Sequence, residues 1–408
     1  MKTGTIAALL RGLCIDLTGK PQTVVYEAAG EGSEPNASVM KLEIGAGESE
    51  ENAAGIIRRV YNEWLKGQAG KEGVMLPACV SLCVDGKSRA KFWIDADLDS
   101  ARNRQMKKDV LPGLQGKGQN PASKTTLLNV EERAGVIKNR IALVTGGAQG
   151  IGEEIVRNLT SAGATVYIAD LNVEGARKLA NQINAEEGRT AALALGVNVS
   201  DEASVDSMFN TVAETTGGFD LCVSNAGVLK AASVLEQDLA EFKFVTDINY
   251  TGFFVISKYA GRLLRTQHLG APAWKTDIIQ INSKSGLEGS NKNGAYAGGK
   301  FGGLGLVASF AMELVQYNIK VNAICPGNFL DGPLWSHPEK GLFVQYLNTG
   351  KVSGAKTVAD VRSYYEARVP MKRGCAGKDL MRALFYIVEQ EYETGQAVPV
   401  TGGQVMLH

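Results

Sequence analysis

Ile141-Ala-Leu-Val-Thr-Gly-Gly-Ala-Gln-Gly-Ile-Gly152 is the stretch from which the rest of the chain can be read. Ile141–Thr145 is a short apolar run of strand type, and Ile151–Leu159 has the spacing of a helix. Between them lies a turn made largely of glycine. Glycine is required where a backbone turns sharply and where it passes close to a pyrophosphate with no Cβ in the way. The helix that follows presents free N–H groups and the positive end of its dipole to such a group. Gly146, Gln149, Gly150, Ile151 and Gly152 are therefore the expected phosphate contacts.

Working outward, strands alternate with helices. Apolar strands are expected at Thr165–Ala169, Ala191–Val197, Leu221–Ser224, Ile278–Ile281 and Val321–Ile324. Helices are expected between them, as at Val173–Ile183 and Val205–Ala213. That alternation predicts an α/β fold with a doubly wound parallel sheet of Rossmann type. Asp170 closes the second strand, 18 residues after Gly152. A carboxylate there can accept hydrogen bonds from both adenosine ribose hydroxyls and repel a 2′-phosphate, which favours NAD over NADP. Asn198, with its neighbour Val199, is placed to meet the adenine. Asn225-Ala226-Gly227 ends the next strand, where backbone must pass close to the cofactor.

The chemistry rests on four polar residues. Tyr296 and Lys300 are spaced i, i+4 and share one helix face. Ser283 lies at the end of an apolar strand, and Asn249 in the helix before that strand. Taken with the glycine turn, Asn225-Ala-Gly227 and Pro326-Gly327, this order resembles the short-chain dehydrogenase/reductase family over residues 137–408. The resemblance implies that Tyr296 is the general acid/base and that Ser283 holds the substrate oxygen. Lys300 would bind the nicotinamide ribose and lower the phenol pKa, and Asn249 would anchor a water leading from Lys300 to solvent. Pro326 and Gly327 would line the cofactor site. In place of the Thr that members often carry after Pro-Gly, this chain has Asn328-Phe-Leu-Asp331.

The Tyr296 helix carries Gly298, Gly299, Gly302, Gly303 and Gly305, which disfavour helix at about 1 kcal/mol each relative to Ala. Close approach of the cofactor or of another helix would offset this. Family members commonly associate through this helix, so the resemblance implies a homodimer or homotetramer. Four strings, Ile279-Gln-Ile-Asn-Ser-Lys-Ser-Gly286, Lys300-Phe-Gly-Gly303, Val369-Pro-Met-Lys-Arg-Gly-Cys375 and Thr401-Gly-Gly-Gln-Val-Met406, are similar to the polyol-phosphate branch of the family. That branch interconverts D-sorbitol 6-phosphate and D-fructose 6-phosphate with NAD. Lys284 and Asn291 are the expected substrate contacts beside Ser283 and Tyr296, with Lys292 at the rim. Residues 328–357, with Trp335 and Phe343, are expected to cover the substrate. Dehydrogenation of another polyol, sugar or hydroxy compound stays open, as does an idle NAD-binding scaffold.

The first third of the chain reads differently. Thr23–Tyr26, Val39–Ile44, Val74–Val84 and Arg89–Ile94 are expected strands, and Asp85-Gly86 is a hairpin turn. Glu50–Lys66 is an amphipathic helix. Ile6–Leu10 is a short helix or strand that Arg11 interrupts. Residues 1–110 thus read as a small α+β accessory domain. The Gly-, Pro- and Asn-rich stretch within 111–136 reads as a linker, and 137–408 as the Rossmann-type domain.

Lys+Arg and Asp+Glu are both 43, so the chain carries no basic footprint for nucleic acid and no polybasic membrane patch. No apolar run approaches the 18 residues of a membrane span. The six cysteines have no zinc-type spacing, and no metal site is expected. Scattered thiols in apolar stretches suit a reducing compartment, and the cytoplasm follows as the expected location.

Overall fold

The computed structural model describes residues 2–28, 39–68, 74–85, 87–107, 113–115, 135–339, 341–348, 350 and 352–407. In chain order the first part contains α1 (Thr3–Thr18), β1 (Thr23–Ala28), β2 (Met40–Ile44), α2 (Glu50–Lys66), β3 (Val74–Leu76), β4 (Cys79–Val84), β5 (Lys87–Asp95), α3 (Leu98–Lys107) and β6 (Gly113–Gln115). The second part begins with β7 (Ile141–Thr145), α4 (Gly150–Ser161), β8 (Thr165–Asp170), α5 (Val173–Glu187), β9 (Ala192–Gly196), α6 (Glu202–Thr216) and β10 (Leu221–Ser224). It continues through α7 (Leu239–Thr246), α8 (Gly252–Gly270), β11 (Thr276–Ile281), α9 (Gly294–Leu314) and β12 (Ile319–Pro326). It ends with α10 (Pro333–Ser336), α11 (Leu342–Asn348), α12 (Val358–Ala367), α13 (Gly377–Glu389) and β13 (Ala397–Val400).

The seven-stranded sheet has the order β13-β12-β11-β10-β7-β8-β9, and all its pairs are parallel. Strands buried on both faces must be apolar throughout. β7 follows this except for Thr145 at its end, whereas β11 also buries Thr276, Asp277 and Gln280. Ile155, Leu159, Leu179 and Leu384, from α4, α5 and α13, cover one face. Val205, Phe209, Ile256, Leu264 and Val307, from α6, α8 and α9, cover the other. The strand order reverses between β7 and β10, which opens a crevice at their C-terminal ends. The fold is the doubly wound Rossmann-type α/β sheet.

β13 was not anticipated. It is a four-residue edge strand containing Pro399, and proline in a strand is confined to edges because it cannot donate to the ladder. Val74–Val84 is not one strand: Pro77 separates β3 from β4, and β3 pairs instead with β6, inside the stretch expected as linker. Residues 111–112 and 116–134 of that linker lie outside the described residues, as does Gly86 of the hairpin turn. Val84 and Lys87 do pair across the turn, with Asp85 at φ 49.

The other sheet has the order β1-β5-β4-β2. Ile6 and Leu10 of α1, with Ile57 and Tyr61 of α2, cover one of its faces. α1 also packs against α6 and α8, so it is buried almost all round. The expected break at Arg11 does not occur. Arg11 sits inside the 16-residue helix, fully buried, because the Asp220 carboxylate meets it at 2.7 Å. Asp220 precedes β10, so α1 attaches at the strands' N-terminal ends, opposite the glycine turn.

Candidate active site

The glycine turn and the loop after β10 brace one another. Thr145 Oγ1 accepts from the backbone N–H groups of Asn225 (3.0 Å) and Ala226 (3.1 Å). Asn225 Nδ2 donates to the carbonyls of Thr145 and Gly146, both at 3.0 Å. Gly146 has φ 61, and a Cβ there would lie 2.9 Å from Ala226 Cα. A Cβ on Gly152 would lie 2.0 Å from Gly146 O, so α4 can begin directly on the turn only with glycine. Gln149 is the N-cap position of α4, Gly150 has φ 58, and Ile151 packs into the core below. The crevice therefore has the shape a dinucleotide needs: an open turn against a helix N-terminus at the point of strand reversal.

Asp170 stands at the end of β8. Its Oδ2 accepts from Ala148 N at 3.0 Å and its Oδ1 from Asn172 N at 2.9 Å, which fixes the carboxylate beside the glycine turn. Asn198 is exposed, and its Oδ1 accepts from Ser200 N and Oγ, so that oxygen is already used by a local turn. Val199 is buried behind it against Gly252. Pro326 ends β12, and Gly327 N donates to Val400 O at 2.9 Å on the unanticipated edge strand.

Ser283, Tyr296 and Lys300 come together at the ends of β11 and α9. The Ser283 hydroxyl faces the Tyr296 phenol closely enough to draw its pKa down, and it accepts from Ser285 N at 3.1 Å. Lys300 is 5% exposed; its Nζ donates to Ile281 O at 2.9 Å and lies 5.6 Å from the Tyr296 ring centre. Asn249 occupies a π-helical turn, Asp247–Thr251, between α7 and α8; such turns recur at functional sites. Its Oδ1 accepts from Val228 N at 2.9 Å and its Nδ2 donates to Val228 O at 2.7 Å, so the amide clamps the loop after Gly227.

The electrostatics depart from expectation. Burial pushes the Tyr296 phenol above its ordinary value, and the Ser283 hydroxyl only partly opposes this. Burial also brings Lys300 down to about 8. The Lys300 ammonium is bonded to a backbone carbonyl and is itself desolvated. A lower phenol pKa needs a further positive charge beside it.

The expected substrate contacts lie on the loop between β11 and α9. Lys284 pairs with Glu288 at 3.2 Å, while Asn291 and Lys292 are exposed. Two other cations noted from the sequence are occupied elsewhere: Lys372 donates to Ala367 O at 2.8 Å, and Arg373 pairs with Asp379. The segment after Pro326-Gly327 forms a small body with its own core of Leu330, Trp335, Phe343 and Val361. Trp335 packs on Phe343 at 5.2 Å and on Tyr365 at 4.9 Å. Both aromatic residues expected to cover substrate are thus spent on rigidity inside that body. Its first turn reaches the cofactor crevice, with Pro333 beside Gly150. The brace from Thr145 was not anticipated; its only sequence signal is a hydroxyl residue between a buried strand and the first glycine.

A family profile described as short chain dehydrogenase matches residues 140–337. Sorbitol-6-phosphate 2-dehydrogenase of Escherichia coli (strain K12) is 35% identical over 270 residues, covering 66% of this chain and 99% of that protein. The chain belongs to the short-chain dehydrogenase/reductase family. The crystal structure of sorbitol-6-phosphate 2-dehydrogenase SrlD from Erwinia amylovora is 38% identical with a TM-score of 0.60, covering 65% of this chain and all of that one. An NADP active-site complex of RhlG from Pseudomonas aeruginosa is 26% identical with a TM-score of 0.56, covering 65% of this chain and 96% of that one. The N-terminal region is left unmatched by these relatives. This short-chain dehydrogenase is therefore an oxidoreductase of alcohol-type substrates that uses a nicotinamide cofactor. Among the described residues no helix is long and apolar enough to cross a membrane.

Proposed function

We propose that this enzyme is an NAD-dependent dehydrogenase of a sugar-alcohol carbinol, with D-sorbitol 6-phosphate and D-fructose 6-phosphate as its substrate pair. The observation that carries the reading is the convergence of Ser283, Tyr296 and the buried Lys300 at the ends of β11 and α9. The identity with sorbitol-6-phosphate 2-dehydrogenase supports the substrate. When bound, nicotinamide supplies the hydride acceptor or donor. Tyr296 then takes the carbinol proton during oxidation and returns it during reduction. Ser283 Oγ donates to the substrate oxygen and holds it within reach of the phenol. Lys300 stabilises the phenolate and binds the ribose, and Asn249 fixes the loop that walls the crevice.

A screen of phosphorylated and free sugar alcohols, following NADH formation, tests the substrate. Preference for the phosphorylated polyol is expected, with Lys284 releasing Glu288 to meet the phosphate and Asn291 meeting a hydroxyl. One observation favours a neutral polyol instead: Glu288 already compensates the Lys284 charge. Equal or better turnover of free sorbitol would establish that second reading.

Asp170 supports NAD. Its carboxylate is fixed by two backbone N–H groups and would meet a 2′-phosphate with repulsion. Asp170→Ser should raise the KM for NAD by about 10- to 100-fold, the loss of charged hydrogen bonds to the ribose, and should allow turnover with NADP. Parallel initial-rate measurements with both cofactors check this. Unchanged discrimination would remove Asp170 from the cofactor site.

Assembly as a homodimer or homotetramer is supported by exposed apolar side chains on α9 and the helices beside it. Phe301, Met312 and Val315 mark one side of α9 and its end, beside Phe242 and Phe244 of α7 and Phe254 of α8. Gly298 and Gly305 leave open space on the same helix, whereas Gly299, Gly302 and Gly303 face Asn249, Tyr250 and Gln280 inside. Phe301→Glu should therefore shift the mass in sedimentation velocity toward the monomer. We take residues 1–110 as an accessory unit joined by 111–136 to the dehydrogenase unit. The six free cysteines fit work in the reducing cytoplasm.

A further inference from the structure

Asn282 is 3% exposed and immediately precedes Ser283. Its Oδ1 accepts from Ser283 N at 2.8 Å. Its Nδ2 donates to the backbone carbonyl of Lys300 at 2.9 Å and to Gln280 Oε1 at 2.7 Å. One side chain thus spans the end of β11 and the middle of α9, touching the backbone of two residues whose side chains form the site. Gln280, 2% exposed, completes the pair.

Two amides between a sheet and a helix are costly where apolar packing would serve, since each buried polar group must find a partner. Gln280 Nε2 has none in this structure. Space is also kept open for them. A Cβ on Gly286 would lie 2.1 Å from Asn282 Oδ1, and one on Gly303 would lie 2.6 Å from Gln280 Nε2. Gln280, Asn282, Gly286 and Gly303 all fall within the strings by which this chain resembles the polyol-phosphate branch. Nothing in the packing of β11 calls for such a network. Its bonds run to the backbone of Ser283 and Lys300.

We infer that Asn282, backed by Gln280, is a positioning residue that sets the separation between Ser283 and the Tyr296–Lys300 helix. Without the amide, Lys300 still reaches Ile281 O, but the tie between the Ser283 and Lys300 backbones is gone, and the Ser283 hydroxyl is free to drift from the phenol. Misplacement on the order of 1 Å at a reacting centre lowers rate by about 100-fold with little effect on binding.

The inference rests on Tyr296 being the proton-transfer group, and the test separates the two. In Asn282→Ala, kcat for polyol oxidation should fall about 10- to 100-fold, while the KM for NAD and the NADH affinity stay within about twofold. The pH limb of kcat to which Tyr296 contributes should also move to higher pH, because the Ser283 interaction that opposes the burial effect is loosened. A purely structural role would lower the melting temperature and leave that limb in place. A folded N282A with wild-type kcat and an unmoved limb would overturn the inference. If N282A does not fold, Asn282→Ser and Gln280→Met take its place. Ser keeps an acceptor for Ser283 N without reaching Lys300 O, and Met removes only the second amide. Either should give a smaller shift of the same sign; wild-type profiles in both would overturn the inference. Full activity in Tyr296→Phe would instead remove the reading beneath it.

Discussion

Tyr296→Phe is expected to lower kcat by about 10²- to 10⁴-fold, the range for loss of a positioned acid/base group, with NADH binding nearly unchanged. Phenylalanine keeps the shape of the ring and loses only the hydroxyl that Ser283 meets. Steady-state rates with a polyol, beside a fluorescence titration with NADH, separate the two effects. A Phe variant with a tenth or more of the wild-type rate would end the proton-transfer assignment. The pH profile carries a second check. Oxidation needs the phenolate, and burial raises the phenol pKa, so the rate should climb with pH from the acid side. Lys300 is protonated below about 8, where its charge is available to support that phenolate. The two groups are neighbours, so the limbs belong to the pair and not to either alone. Lys300→Met removes the positive charge, and the rising limb should then move further to alkaline pH.

Local motifs were legible from the sequence because their chemistry depends on neighbours within one turn or one strand–helix unit. The glycine turn, Asp170 and the Tyr296–Lys300 pair are of this kind: a bare backbone, a strand-end carboxylate and an i, i+4 spacing each have a direct physical meaning. What depends on distant partners was hidden. Asn282 looks like any polar residue at a strand end until α9 is folded onto it. The segment 328–357, with Trp335 and Phe343, looks like a cover for substrate until those two rings are found in the core of the body after β12. The phenol's pKa could not be read from the lysine one turn away, because burial and a backbone carbonyl decide where that lysine's charge goes. β13 was concealed by Pro399, which argues against a strand everywhere except at an edge.

Arg11 is the sharpest case of a distant partner, and its replacement should have the largest effect on stability. As a lone charge in an apolar run it reads as the end of that run. In the fold it is 0% exposed, as is Asp220, and their side chains meet at 2.7 Å. The guanidinium also donates through Nε to Gln22 O at 2.8 Å and through Nη1 to Phe219 O at 3.3 Å. Asp220 takes two further bonds, from Ile141 N at 2.9 Å and Trp274 Nε1 at 3.1 Å. Burial alone would raise the Asp220 carboxyl; the charges of Arg11 and Arg140 and the bonds to Arg11 and Ile141 outweigh it and hold the carboxyl low. A depressed folded pKa contributes stability above the unfolded value, and that stability is lost as pH falls through the folded one. In Arg11→Met the balance reverses, since burial then dominates and the carboxylate is stranded at neutral pH. Removing one member of a buried pair costs about 3–5 kcal/mol, so the urea midpoint should drop by that equivalent. The loss should shrink as the buffer is made acidic enough to protonate Asp220. Adding Asp220→Asn should recover part of it, because an amide can keep accepting from Ile141 and no charge is left unpaired. A midpoint unmoved in Arg11→Met would mean that α1 is held to α6 and α8 by apolar packing alone. The expected drop, by contrast, would make the N-terminal helix part of the dehydrogenase's own stability, through a charge lodged at the strands' N-terminal ends and away from the catalytic crevice.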